Sequence, residues 1–156
     1  MIDTRHRPEI IIANEDAAFL SVISSYLGQF FHVKAAVRTG DDLIRVAPRM
    51  RPDAIVADMD IPVGEGIDVM VALKTLGIDP LESPIRNGLD LAAAFTQAKI
   101  HIPFVLMGSE TEGVESLLQQ GASAYVHKYD VYADLKQAVL LAIEGRKFIS
   151  RSSVRR

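Results

Sequence analysis

The sequence predicts an α/β protein: a doubly wound sheet of five parallel strands with helices on both faces. Three observations carry that expectation. Short, continuous apolar runs recur along the chain, the pattern of strands covered on both faces. Between them, apolar residues return at three- and four-residue steps, as on one side of a helix. Strands that alternate with helices in this way close as crossover units around a parallel sheet.

The first run, EIIIA at 9–13, reads as strand one. From Asp16 the period changes: Phe19, Leu20, Ile23, Tyr26 and Leu27 mark a helix that ends near Gly28. FHVKAAV (31–37) reads as strand two, and TGDDLIRVAPRM (39–50) as a helix with Thr39 or Asp41 near its start, since short polar side chains cap free backbone N–H groups. DAIVA (53–57) is strand three and IPFVLM (102–107) strand four. TEGVESLLQQ follows as a helix that Gly121 stops. SAYVHK (123–128) is strand five, and YADLKQAVLLAIEG a last amphipathic helix ending at Gly145.

Composition narrows the function classes. With 156 residues, the chain is long enough for one domain with a real core. Hydrophobic residues make up 49% and charged residues 24%, with a net charge of −3, so the balance points away from disorder and from wrapping nucleic acid or lying on anionic lipid. There is no cysteine, which excludes disulfides, thiolate metal sites and cysteine nucleophiles. No stretch has the signal-peptide pattern or the roughly 20 apolar residues of a membrane span, and the expected location is the cytoplasm. The expected organisation is a leader at 1–8, one domain at 9–150 and a solvated basic tail, RSSVRR, at 151–156.

One segment exceeds the alternating pattern. PVGEGIDVMVALKTLGI (62–78) and PIRNGLDLAAAFTQAKI (84–100) align without a gap at an offset of 22, pairing Pro62 with Pro84, Gly66 with Gly88 and Asp68 with Asp90. Either two helix starts resemble each other by chance, or a loop-plus-helix unit is duplicated. The second alternative adds a helix between strands three and four. The first copy is apolar almost all round and is expected to be covered.

In open parallel sheets the functional crevice lies at the carboxyl ends of the strands. That edge collects Asn14, Glu15 and Asp16 after strand one, Asp58 and Asp60 after strand three, Gly108 and Ser109 after strand four, and Lys128 at the end of strand five. Carboxylates gathered there suit a hard cation such as Mg²⁺, which takes oxygen ligands and keeps several waters. An aspartate in such a site can also be a nucleophile that becomes an aspartyl phosphate. Lys128 is placed to neutralise the phosphoryl oxygens. For Asp58 alone, a loop-capping role is the plainer alternative.

These residues resemble the receiver domains of two-component response regulators. DMDIPVGEG (58–66) is similar to the family's phosphoacceptor stretch, an Asp with Pro four residues on and Gly eight on. GASAYVHK (121–128) resembles its fifth strand and terminal lysine, and IIIANEDAAF its first strand and acidic pair. AIEGRKFIS resembles receivers that precede a LuxR-type helix-turn-helix module. The resemblance implies a flavodoxin-like receiver fold with strand order 2-1-3-4-5. It implies Asp58 as phosphoacceptor and Mg²⁺ held by Glu15, Asn14, Asp58 and the backbone carbonyl of Asp60. Lys128 would contact the phosphoryl group, and Tyr125 would be the aromatic switch. It implies a histidine kinase as partner, leaves room for a homodimer, and points to a downstream target or a C-terminal output domain absent from this chain. No nucleic-acid or membrane contact is expected through this chain.

Three departures stand out. Asn14 and Glu15 occupy the place of two acids, unless a one-residue shift makes the pair Glu15 and Asp16. Gly108 stands where the family has a Ser or Thr hydroxyl, with Ser109 beside it as a substitute. Tyr129 follows Lys128 where proline is frequent. Two other readings therefore remain: a receiver-like adaptor that binds partners without phosphate, and a haloacid-dehalogenase-type phosphatase using Asp58 and Asp60 as a D-x-D motif. Against the latter, that motif belongs after the first strand and lacks Pro62.

Overall fold

A computed structural model describes residues 7–153 of the chain. Most of the expected leader (1–6) and the end of the expected tail (154–156) lie outside the described residues. Six strands, β1 (Glu9–Ala13), β2 (His32–Val37), β3 (Ala54–Asp58), β4 (Phe104–Gly108), β5 (Ala124–His127) and β6 (Phe148–Ile149), form one parallel sheet in the order β2-β1-β3-β4-β5-β6. The expected α/β class and order 2-1-3-4-5 hold, and β6 is added at the edge. With two residues, β6 is too short for an apolar-run signal. It is held by the parallel pairing of Phe148 and Ile149 with Ala124 and Tyr125.

Side-chain alternation sends Ile10 and Ile12 to one face of the sheet and Ile11 and Ala13 to the other. On the first face lie α1 (Ala17–Leu27) and α6 (Val131–Ile143). The second carries α2 (Gly40–Met50), α3 (Ile67–Thr75), α4 (Gly88–Gln97) and α5 (Val114–Gln120). Local signals set the helix ends. Asp16 caps α1 by accepting from the Ala18 and Phe19 amides, and the Thr39 hydroxyl caps α2 by accepting from Asp42 N. Gly121, at φ +136°, ends α5 in a backbone conformation that a side chain disfavours.

Two separate helices occupy the repeated segment. The second copy, α4, is the one on the sheet: Leu91, Ala92 and Phe95 are buried, and Phe95 meets Phe104 of β4 edge to face at 5.2 Å. The first copy, α3, packs beside α2 and buries only Val69 and Leu73. The expectation that its apolar circumference would be covered is not met, because Ile67 is 79% and Val71 58% exposed.

The segment after β6 is tied back to the start of α6. The Ser150 hydroxyl accepts from His127 N (2.7 Å), and Asp130 accepts from both the N–H (2.7 Å) and the hydroxyl (2.6 Å) of Ser152. Asp134 accepts from Arg151 through its backbone and its guanidinium.

Candidate functional site

Strand register brings the predicted residues to one edge. Ala13 pairs with Ala57 and with Val37, so the next residues along these strands, Asn14, Asp58 and Arg38, sit side by side. Asp58 is also level with Met107, and Gly108 with His127, which carries Lys128 to the same edge. The result is an open cleft of about 570 Å³ lined by Asn14, Glu15, Asp16, Phe19, Arg38, Asp58 and Lys128.

Asp58 is held at both oxygens. Oδ1 accepts from Asp60 N at 3.0 Å, and Oδ2 lies 3.7 Å from Lys128 Nζ. The Asp58 side chain is 14% exposed and that of Lys128 40%, so the carboxylate is partly shielded while the ammonium reaches solvent. Lys128 opens a short 3₁₀ turn, Lys128–Asp130, whose geometry is set where the His127 ring nitrogen Nδ1 accepts from Tyr129 N. On the other side, α4 abuts the loop after Asp58. Gly88 N donates to Met59 O at 2.9 Å, and a Cβ at Gly88 would lie 2.5 Å from the Asp58 carbonyl oxygen.

The residues after β1 divide their roles. Asp16 spends one carboxylate oxygen on the α1 cap. Asn14 is buried, and its Oδ1 accepts from Asp16 N at 2.9 Å. What remains unpartnered among the described residues is its Nδ2, a donor. Glu15 is exposed, and its backbone carbonyl accepts two hydrogen bonds from Arg38, from Nε at 3.1 Å and from a terminal nitrogen at 3.0 Å. Arg38 is the functional candidate that the sequence reading missed. A register shift between Ile10 and Ile11 inserts Lys34 into β2 as a bulge, and without it Arg38 would fall one step past Asn14.

Gly108 and Ser109 do not line the cleft, and Ser109 is exposed. Tyr125 fills the space beside Gly108. It is fully buried, its hydroxyl accepts from Glu110 N at 2.6 Å, and a Cβ at Gly108 would lie 2.7 Å from the phenolic oxygen. Burial pushes the Tyr125 hydroxyl up to about 12. The tyrosine expected to rotate is therefore already packed inward, where a side chain at position 108 would otherwise sit.

Could a metal be held here? The carboxylates that line the cleft, Glu15, Asp16 and Asp58, are hard donors that fit Mg²⁺ with most of its waters retained. Asp60, whose carbonyl is expected to join them, is not among the lining residues. Asn14 does not add to these donors in this arrangement, since its oxygen faces the Asp16 amide. Among the described residues no group of three His, Cys, Asp or Glu is clustered as a metal site.

Comparison with known proteins places the fold. No family model matches the chain. Over 73 residues, 46% of this chain, it is 34% identical to the transcriptional regulatory protein PrrA of Mycobacterium tuberculosis and of Mycobacterium bovis. That match spans 31% of the PrrA chains. Among solved structures, the non-phosphorylated receiver domain of the stress response regulator RcsB from Escherichia coli superposes with a TM-score of 0.72 at 16% identity, covering 94% of this chain and all of that one. A LuxR-family two-component response regulator from Aurantimonas gives 0.73 at 16%, covering 94% and 91%. The receiver domain of the putative response regulator NarL from Mycobacterium tuberculosis gives 0.69 at 18%, covering 90% and 98%. No helix among the described residues is long and apolar enough to cross a membrane. The chain thus has the flavodoxin-like α/β fold of response-regulator receiver domains, with one helix inserted between β3 and β4 and a sixth strand at the edge.

Proposed function

We propose that the chain is a phosphoacceptor signalling module that takes a phosphoryl group from a histidine kinase onto Asp58 and passes the change to a partner surface. The observation that carries this reading is the pairing of a partly buried Asp58 with Lys128 at the carboxyl edge of a parallel sheet. Asp60 N–H holds Oδ1, which leaves Oδ2, on the lysine side, as the attacking oxygen. The bond from Oδ2 to phosphorus forms as the bond from phosphorus to the kinase's imidazole nitrogen breaks. Lys128 lies where it would meet the negative charge on the transferred oxygens. Glu15, Asp58 and the Asp60 carbonyl would hold Mg²⁺, which supplies further neutralisation of the phosphoryl oxygens. The module's own chemistry ends with self-phosphorylation and hydrolysis. Its partners on this reading are a histidine kinase and either a target protein or an output domain of a longer chain. Its setting is the cytoplasm.

Acetyl phosphate with Mg²⁺ tests this directly. Intact mass should show a single phosphoryl adduct that Asp58→Asn abolishes. A second reading, a phosphate-independent adaptor, draws support from Tyr125, which already occupies the inward position beside Gly108. That reading predicts no adduct, and a partner affinity that Asp58→Asn leaves unchanged.

A further inference from the structure

We propose that the cleft carries its own counter-cation: Arg38 shares with Lys128 the charge of a phospho-oxyanion at Asp58 and lowers the site's dependence on a divalent metal. The inference rests on the phosphoacceptor reading of Asp58.

The charge balance of the cleft comes first. Its carboxylates are Glu15, Asp16 and Asp58. Asp16 gives one oxygen to two amides of α1 and keeps its charge, so three carboxylates stand against two cations, Arg38 and Lys128, and the balance is −1. A dication is drawn to a surplus of negative charge, and this cleft offers little. An incoming oxyanion, by contrast, meets two cationic side chains.

The position of Arg38 is the second observation. Two of its five N–H donors are fixed on the Glu15 carbonyl, which anchors the planar group at the rim and leaves three donors for an anion. Arginine stays charged at every relevant pH, so this cation is permanent.

Asn14 supplies the third. Its Nδ2 is buried without a partner among the described residues, while its Oδ1 is bound to Asp16 N–H. Exchanging the two atoms would set one donor against another, so the backbone amide fixes the orientation. A buried donor without an acceptor is costly. An oxyanion in the cleft that Asn14 lines supplies the missing acceptor. The arginine and the asparagine donor favour an anion, while the two cations weaken the pull of the carboxylates on a dication.

Beryllofluoride tests the inference on the whole chain, because one Asp58 oxygen donates its lone pair to beryllium and the adduct is read by ¹⁹F NMR. In EDTA, wild-type protein should form the adduct with an apparent affinity within about tenfold of that in Mg²⁺. Arg38→Gln should retain the adduct in Mg²⁺ but widen the ratio to roughly a hundredfold or more. Asn14→Asp should move the balance the other way, tightening Mg²⁺ binding by the unmodified protein, followed through the amide shifts of Glu15 and Asp58. A wild-type adduct that forms only in Mg²⁺ overturns the inference while leaving the phosphoacceptor reading intact. An unchanged ratio in Arg38→Gln, or unchanged Mg²⁺ affinity in Asn14→Asp, overturns it equally. No adduct under any condition would remove the phosphoacceptor reading and this inference with it.

Discussion

Gly108→Ala is the substitution that most directly probes the packing around Tyr125. Adding a methyl group to a strand glycine ordinarily stabilises by roughly 0.5–1 kcal/mol, because the unfolded chain loses freedom. Here the new Cβ would lie 2.7 Å from the Tyr125 phenolic oxygen, 3.2 Å from Cε1 and 3.4 Å from Cζ. Two responses are open. The ring could swing out, but that forfeits the hydrogen bond from Glu110 N and re-exposes a ring burying about 150–250 Å², a cost of roughly 4 kcal/mol or more. The neighbours could instead give way, at the 1–3 kcal/mol typical of an overpacked core, roughly. The second response is cheaper. Subtracting the backbone gain leaves a net loss of about 1–2 kcal/mol, or roughly 3–6 °C in Tm for a chain of this length. Urea unfolding at constant m-value is the assay. Tyr125→Phe supplies the control, since it deletes the atom at 2.7 Å. In that background Gly108→Ala should approach neutrality, giving a coupling of about 1 kcal/mol. A neutral or stabilising Gly108→Ala in the wild type, or equal costs in the two backgrounds, would refute the steric argument.

Three further outcomes follow from the same contacts. The Tyr125 hydroxyl, pushed up to about 12 by burial, loses its proton after an unfolded tyrosine at about 10. Its contribution to stability is complete below pH ~10 and is lost as the pH rises through ~12. A tyrosinate absorbance titration should show one late step that Tyr125→Phe removes. Burial of Asp130 works to raise its pKa, but hydrogen bonds from the Ser152 hydroxyl and N–H and from Ser150 outweigh it and hold the carboxyl below its ordinary range. Ser152→Ala should cost about 1–2 kcal/mol in urea unfolding at pH 7. That difference should shrink as the pH falls below ~3.9, where the unfolded carboxyl is already protonated, and through the folded value. Gly88→Ala would drive a Cβ to 2.5 Å from the Asp58 carbonyl oxygen and 3.3 Å from that of Met59, both backbone atoms that cannot rotate away. It should destabilise by about 2 kcal/mol despite the helix-propensity gain, and shift the amide resonances of residues 58–60.

Much of the site was readable because periodicity and position carry it. An apolar run that stops at Ala57 hands Asp58 to the sheet edge whatever packs around it, and Lys128 follows the same logic at the end of β5. Arg38 escaped because its place depends on one bulged residue, Lys34, and nothing in HVKAAV marks where a strand takes up an extra residue. The two copies of the repeat could not be ranked, since both have the glycine and apolar spacing of a helix start. Packing separates them: Leu91, Ala92 and Phe95 of α4 meet the sheet, while Asp68 and Lys74 flank an α3 whose Ile67 and Val71 face solvent. The C-terminal clamp was hidden for a different reason. Asp130 and Asp134 look like ordinary polar positions on a helix start until Ser150, Arg151 and Ser152 arrive from the far side of α6.

The departures in the cleft and behind it are best considered in pairs. Asn14 in place of an acid removes one negative charge and Arg38 at the rim adds one positive charge, and on the phosphoacceptor reading both would bear on the chemistry at Asp58. Gly108 without a side chain and Tyr125 turned inward complement each other sterically, and on the same reading both would bear on transmission. The two pairs do not touch the same step. On the phosphoacceptor reading, a phosphoryl group on Asp58 finds no hydroxyl at position 108 to pull and no outward ring to draw in. The loop after Asp58 is the remaining mechanical path. It is bound by Ile61 N to Asp58 O, by Gly88 N to Met59 O, by Val63 N to Arg86 O and by Gly40 N to Pro62 O. Those contacts lead into the start of α4, into α2 and along the connection from α3, the inserted helix whose outer face carries Ile67 and Val71. A charge change at Asp58 would therefore be felt first on the α2–α3–α4 side of the molecule and only weakly at Tyr125. Comparing amide shifts with and without beryllofluoride distinguishes the two routes: changes at 59–66 and 86–90 with a static Tyr125 support the loop, and a moving Tyr125 ring refutes it.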